Sequence, residues 1–277
     1  VGERASPGRG AGPPSRLALG IAYRGDAYQG WQSQPSGNTL QDRVEHALSS
    51  FACRTLRTLC AGRTDGGVHA LNQVIHFDTD IRRDSNSWVR GTNRYLPADI
   101  AVQWCRSVPA DFHARNSALG RRYTYVLLEA PVRPALESGA VGWTFRPLDA
   151  QAMAAAARYL IGEHDFSAFR SSQCQALTPI KTLRSLDITK IGAYWRFDFD
   201  ASAFLHHMVR NVMGCLIAVG TGARSPKWLD GILKSRLRSL AAPTFPADGL
   251  YFDGPYYDPK FEIPSRTAVM DWLPRRE

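Results

Sequence analysis

The feature that most constrains the fold is a pattern of elements met twice along the chain. Strand segments with alternating side chains are interrupted, in each half, by one or two amphipathic helices. In extended chain successive side chains point to opposite faces, and Leu17 to Tyr23 has that alternation. Thr39 and Asp42 then frame a capping-box-like helix start, and Leu40, Val44, Leu48 and Phe51 place an apolar stripe on the helix. Strands are expected at about Thr55 to Ala61 and Val74 to Thr79, a helix that includes Ser87 to Arg94, and a strand from Val102 to Val108.

The second half repeats this grammar. Arg121 to Glu129 alternates, with Arg122, Thr124 and Val126 opposite Tyr123, Tyr125 and Leu127. Asp149 can cap an Ala-rich helix that ends near Gly162. Thr182 to Lys190 and Tyr194 to Ala201 form a hairpin around Ile191, Gly192 and Ala193, and a long helix runs from about Ala203 to Gly220. The order is not strictly βαβα, which argues against a doubly wound parallel sheet. The expectation is an α+β protein of two similar α/β domains, at 16–110 and 111–277. They would form a pseudo-symmetric, mixed but mainly antiparallel sheet with a central basic cleft, after a disordered Gly, Pro, Ser and Arg-rich leader at 1–15.

Charge bears on partners. The chain has 34 basic and 25 acidic residues, a formal charge of +9, and only five of the basic residues are Lys. Guanidinium forks suit phosphate and stack on bases, so a polyanion such as nucleic acid is one reading; codon usage that favours Arg accounts for the same excess. Cys53, Cys60, Cys105, Cys174 and Cys215 are odd in number and lack C-x-x-C spacing. That argues against a disulfide framework or a cysteine zinc site and for a reducing, cytoplasmic setting. No apolar run reaches membrane-spanning length.

The segment Ala61-Gly62-Arg63-Thr64-Asp65-Gly66-Gly67-Val68-His69-Ala70 carries the strongest chemical signal. Residues i and i+2 of an extended chain share a face, so Arg63 and Asp65 are expected to project together. Gly66 and Gly67 allow backbone angles that a Cβ would block. A carboxylate held beside a guanidinium suits a nucleophile or a general base. A second signal is Arg210, the only formally charged residue from Ala201 to Ala223, with His206 and Gly214 one helical turn to either side. Either its head snorkels to water or it meets Asp65 or a phosphate, in which case it keeps Asp65 ionised.

Tyr123, preceded by Arg121 and Arg122, is either a core aromatic or a platform on which a base stacks. The stretch from Phe112 to Asn116 sets an aromatic and a His beside Arg115 in a loop, and His164 to Arg170 does the same. His69 and His76 lack the spacing of helical zinc sites, a satisfied core or surface histidine is the reading of each of His69, His76, His206 and His207, and no Walker A or Rossmann glycine pattern occurs. No metal and no cofactor are expected.

These segments, in this order, resemble the TruA-type tRNA pseudouridine synthases from about Leu17 to Tyr257. The match includes Tyr28-Gln29-Gly30-Trp31-Gln32, Gly62-Arg63-Thr64-Asp65, Asn93 with Leu96-Pro97-Ala98-Asp99-Ile100, and Phe112-His113-Ala114-Arg115. It continues through His164-Asp165-Phe166-Ser167, His207-Met208-Val209-Arg210-Asn211 and Ala247-Asp248-Gly249-Leu250. The family usually has Ala at the place of Gly66. The resemblance implies that Asp65 is the catalytic nucleophile, with Arg63 beside it and Arg210 paired to it. Tyr123 would stack on the target base and Leu250 would wall the pocket. Phe112, His113, Ala114, Arg115, Asn116, Arg121, Arg122, Gln173, Cys174 and Gln175 would touch RNA. It further implies a cofactor-independent homodimer that isomerises uridines at positions 38, 39 and 40 of the tRNA anticodon stem–loop. Two rivals are a non-catalytic RNA-binding protein of the same fold and a metal-dependent phosphoesterase built on Asp65, His69 and Asp78.

Overall fold

A computed structural model describes residues 14–264. The expected leader therefore lies outside the described residues, apart from its last two positions. The elements are β1 (Ser15–Tyr23), α1 (Leu40–Ala52), β2 (Leu59–Cys60), β3 (His69–Thr79), α2 (Ser85–Asn93), β4 (Ile100–Val108) and β5 (Ala118–Glu129). They continue as β6 (Gly142–Thr144), α3 (Ala150–Ala157), β7 (Gly162–Asp165), β8 (Ile180–Ile191), β9 (Tyr194–Ala201), α4 (Met208–Gly220), α5 (Pro226–Ser235) and β10 (Leu250–Tyr257).

The caps read from sequence are in place. Thr39 accepts from the Asp42 N–H at the start of α1, and Asp149 accepts from the Ala152 N–H at the start of α3. Each satisfies one of the donors that a helix leaves free in its first turn. The hairpin β8–β9 turns at Gly192 and Ala193, where Gly192 has φ of 60°.

The ten strands of the described residues join one sheet in the order β4-β1-β3-β10-β5-β9-β8-β7, with β2 on β3 and β6 on β5. It is mixed and mainly antiparallel; only β10–β3 and β5–β6 are parallel. The last strand, β10, inserts at the centre, pairing Tyr251 with His69 on one side and Leu250 with Tyr125 on the other. Two differences from the sequence reading concern the active segment. The run from Thr55 pairs only at Leu59 and Cys60, whereas β3 starts at His69, well before Val74. Asp65 thus sits in a connection between strands rather than at the end of one.

Alternation sends the helices to a single face of the sheet. Leu19 and Ile21 of β1, and Ile75 and Phe77 of β3, pack with Leu40, Val44 and Trp88 of α1 and α2. Tyr125 and Leu127 of β5, with Phe197 of β9, pack with Met153, Val212 and Leu229 of α3, α4 and α5. Leu250 belongs to the second core and Phe252, two residues on and on the same face, to the first. Tyr123 packs against both, so it stands at the seam between the two helical layers.

Candidate active site

At that seam opens a cavity of about 1270 Å³, whose walls come from both halves of the chain. Among the described residues, four arginines line it (Arg63, Arg115, Arg121 and Arg210) and a single carboxylate, Asp65.

The loop that carries Asp65 is fastened at its neighbours, which leaves the carboxylate free to face the cavity. Thr64 is buried; its carbonyl accepts from the Trp31 N–H at 3.0 Å and its hydroxyl meets the Tyr23 hydroxyl at 2.8 Å. The fully buried Gln73 amide brackets Gly62, donating to its carbonyl and accepting from its N–H. Of the two glycines only Gly67 requires the left-handed region, at φ of 82°. A Cβ on Gly66 would come no closer than 3.5 Å to its nearest neighbour, ordinary contact, so an Ala fits there.

Asp65 points at the start of α4. Its Oδ1 lies 3.1 Å from His206 Nε2, and its Oδ2 lies 3.5 Å from His207 Nε2 and 3.3 Å from Arg210 Nη1. Burial alone would raise the Asp65 carboxyl. The hydrogen bond from His206 and the charges of His207, His206 and Arg210 outweigh it and hold the carboxyl below its ordinary value. Burial pushes the His207 imidazole down, leaving Arg210 as the partner whose charge persists at every working pH. Arg210 is itself anchored: its Nε donates to the Phe245 carbonyl at 2.9 Å.

That anchor depends on Gly214. The 242–245 backbone lies against α4 there, and a Cβ on Gly214 would stand 2.2 Å from the Pro243 carbonyl oxygen. Gly214→Ala is expected to destabilise the fold by about 1–3 kcal/mol, a fall in Tm of several degrees. Activity should fall further than stability, because the displaced segment supports Arg210. A calorimetric scan beside an activity assay checks both.

The helix expected from Ala203 begins only at Met208. His207 takes a left-handed conformation, φ 63°, and the residues before it form a loop. The His206 N–H meets Cys174 Sγ at 3.4 Å, and the His206 carbonyl accepts from the Ser171 N–H at 3.0 Å. His206 therefore stands off the helix and turns towards Asp65 together with His207.

The structure separates the other expected site residues. Arg63 and Asp65 do not pair; the Arg63 guanidinium donates to Gln175 Oε1 at 3.0 Å across the cavity. Their shared face was expected of a strand, and residues 62–65 belong to no strand. Leu250 and the half-buried Tyr123 line the cavity, Tyr123 with its ring centroid 5.0 Å from Phe204 and 4.9 Å from Phe252. His113, Arg115, Asn116, Gln173, Cys174 and Gln175 also line it.

Phe112 and Ala114 do not. Both are fully buried beneath the loop, Phe112 against Tyr257 and Phe261, so neither is available for contact with RNA. Arg121 lines the cavity, but its guanidinium donates to the carbonyls of Ala61, Arg115 and Ser202, fastening three segments together. Arg122, one residue on, falls on the opposite sheet face, paired with Asp200 at 2.9 Å and laid over Tyr256.

In sequence, His206 and His207 read as satisfied histidines, and Phe204 carries no assigned role. The available signal was the adjacent pair one turn before the lone Arg210. The phosphoesterase trio does not assemble. His69 is buried, with Gly25, Gly139 and Asp248 as backbone partners, while Asp78 is nine residues along β3, about 30 Å at strand rise, and paired with Arg16.

A family model described as tRNA pseudouridine synthase matches residues 21–116 and 156–258. The chain is 69% identical over 259 residues to "tRNA pseudouridine synthase A" of Methylibium petroleiphilum, covering 94% of this chain and all of that relative. Proteins of the same name from Albidiferax ferrireducens and Polaromonas naphthalenivorans are 62% and 59% identical, again over 94% of this chain and all of each relative.

Proposed function

The chain belongs to the tRNA pseudouridine synthase family, which isomerises uridine to pseudouridine in tRNA, and we propose that its targets are positions 38, 39 and 40 of the anticodon stem–loop, with Asp65 as the nucleophile. The observation that supports Asp65 most directly is its solitude. Among the described residues it is the single carboxylate on the cavity wall, and the hydrogen bond from His206, with the charges of His207, His206 and Arg210, holds it below its ordinary value.

A uracil stacked in a stem is out of reach of the cavity, so the nucleotide flips in. The Asp65 carboxylate then attacks C1′ of the flipped nucleotide, and the N-glycosidic bond breaks with its electron pair leaving on uracil N1. The uracil turns, its carbon five bonds to C1′ and expels the Asp65 carboxylate, and the proton of carbon five leaves to water while N1 takes one up. Leu250 and Tyr123 wall the pocket in which the base turns. The exposed Arg115 and Asn116, with Gln173 and Gln175, rim the cavity and would receive the stem–loop backbone. We assign the enzyme to the cytoplasm, in keeping with five free cysteines, and as a homodimer.

The test is release of tritium from carbon five in tRNAs whose anticodon arm holds a single uridine at 38, 39 or 40. Release from all three supports the assignment. Release only from uridines elsewhere in the tRNA removes it, and tight binding without release favours the non-catalytic reading.

Tyr123 gives a sharper expectation. Stacking on a base contributes about 1–3 kcal/mol, so Tyr123→Ala should lower kcat/KM about 5- to 150-fold, whereas Tyr123→Phe should retain most activity. Equal damage by both would transfer the role from the ring face to the hydroxyl.

A further inference from the structure

We propose that Asp65, His206 and His207 form a binding site for a divalent transition-metal ion of the zinc class, and that the ion acts as an inhibitor rather than a cofactor. One ligand atom from each residue lies within 4.8 Å of the other two. A tetrahedral zinc with bonds of about 2.0–2.1 Å requires its ligands about 3.3 Å apart. Oδ1 stands 3.1 Å from His206 Nε2 and Oδ2 stands 3.5 Å from His207 Nε2, so each imidazole lies near that spacing from a different oxygen of the carboxylate. The imidazole rings face each other with centroids 4.1 Å apart.

The ligands are pre-positioned. The His206 backbone is tied to Cys174 and Ser171, and His207 is held at the head of α4. Two imidazoles and one carboxylate select zinc, cobalt or nickel over magnesium and calcium, which favour all-oxygen sites. The cavity supplies the remaining coordination position from solvent. Arg210, 3.3 Å from Oδ2, repels a cation and limits the affinity, which marks the site as one filled by excess metal and not as a resident centre. A carboxylate bound to metal is withdrawn from attack; that consequence, unlike the binding itself, rests on the functional reading above.

The experiment titrates the wild-type protein with Co²⁺, read by its visible d–d absorption, and with Zn²⁺ against a chromogenic chelator. His206→Ala, His207→Asn and Asp65→Asn are titrated beside it; Asn tolerates the left-handed backbone at 207. One equivalent should bind without a thiolate-to-cobalt charge-transfer band, and each substitution should weaken binding about tenfold or more. Zn²⁺ should suppress tritium release, and a chelator should restore it. No saturable binding by the wild type, a thiolate band, or unchanged affinity in both histidine variants would overturn the site whether or not every variant folds. Binding of one equivalent by a protein that releases no tritium even with chelator would leave the site standing and remove the functional reading instead.

Discussion

Asp65→Asn is expected to lower tritium release on the order of 10⁴-fold or more, the usual scale for loss of a nucleophile, while leaving the fold and tRNA affinity in place. The amide has nearly the shape of the carboxylate but neither its charge nor its nucleophilicity. The loop does not depend on that charge for its position, since Thr64 and Gln73 hold it through buried hydrogen bonds. Circular dichroism and tRNA binding should therefore match wild type, with kcat and kcat/KM falling together. Retention of even a tenth of the activity would exclude Asp65 as the nucleophile.

Arg210→Met should have the next largest effect, and it should carry a pH signature. Methionine keeps much of the arginine stem but removes the cation from Asp65 and the donor from the Phe245 carbonyl. Loss of one electrostatic partner in an enclosed site reduces kcat about 10²–10³-fold. In the wild type the Asp65 carboxyl lies below its ordinary value, so the acid limb of the pH–rate profile falls below the usual carboxylate range of about 4. Without Arg210 the desolvation of Asp65 is opposed less strongly, its pKa rises, and the limb moves to higher pH.

Stability follows the same sign. A folded-state pKa depressed below the unfolded one stabilises the protein above the unfolded value, and the contribution is lost as pH falls through the folded value. The variant should therefore lose less stability than wild type across that acid interval. Both side chains retain some exposure, 17% for Arg210 and 16% for Asp65, so the stability difference should be smaller than the about 3–5 kcal/mol of breaking a fully buried pair. A reduced rate with an unmoved acid limb would show that Arg210 serves to position Asp65 rather than to keep it ionised.

Much of this architecture was legible in the chain because it depends on neighbours in sequence. Thr39 and Asp149 cap their helices through donors three residues on. The alternation of β5 put Tyr123 and Tyr125 on the core face and Arg122 on the other. The one charged residue in an apolar helix marked Arg210 as a cation that meets either water or an anion, and the fold gives it Asp65.

What local pattern could not convey was decided by contacts distant in sequence. The insertion of β10 between β3 and β5 depends on pairings across more than a hundred residues, and periodicity within a strand is silent about which strands become neighbours. The same is true of Arg63, which meets Gln175 instead of Asp65, and of Phe112, which entered a core built by Tyr257 and Phe261. His206 left its helix because Cys174 and Ser171 offered its backbone other partners. The sequence by itself determined Asp65 as a candidate nucleophile or base, Arg210 as a lone cation in an apolar helix, and most of the elements that carry them, since these follow from residue type and short-range spacing. Only the tertiary structure decided that two histidines join Asp65, because a buried carboxylate takes its surroundings from whichever segments packing brings to it.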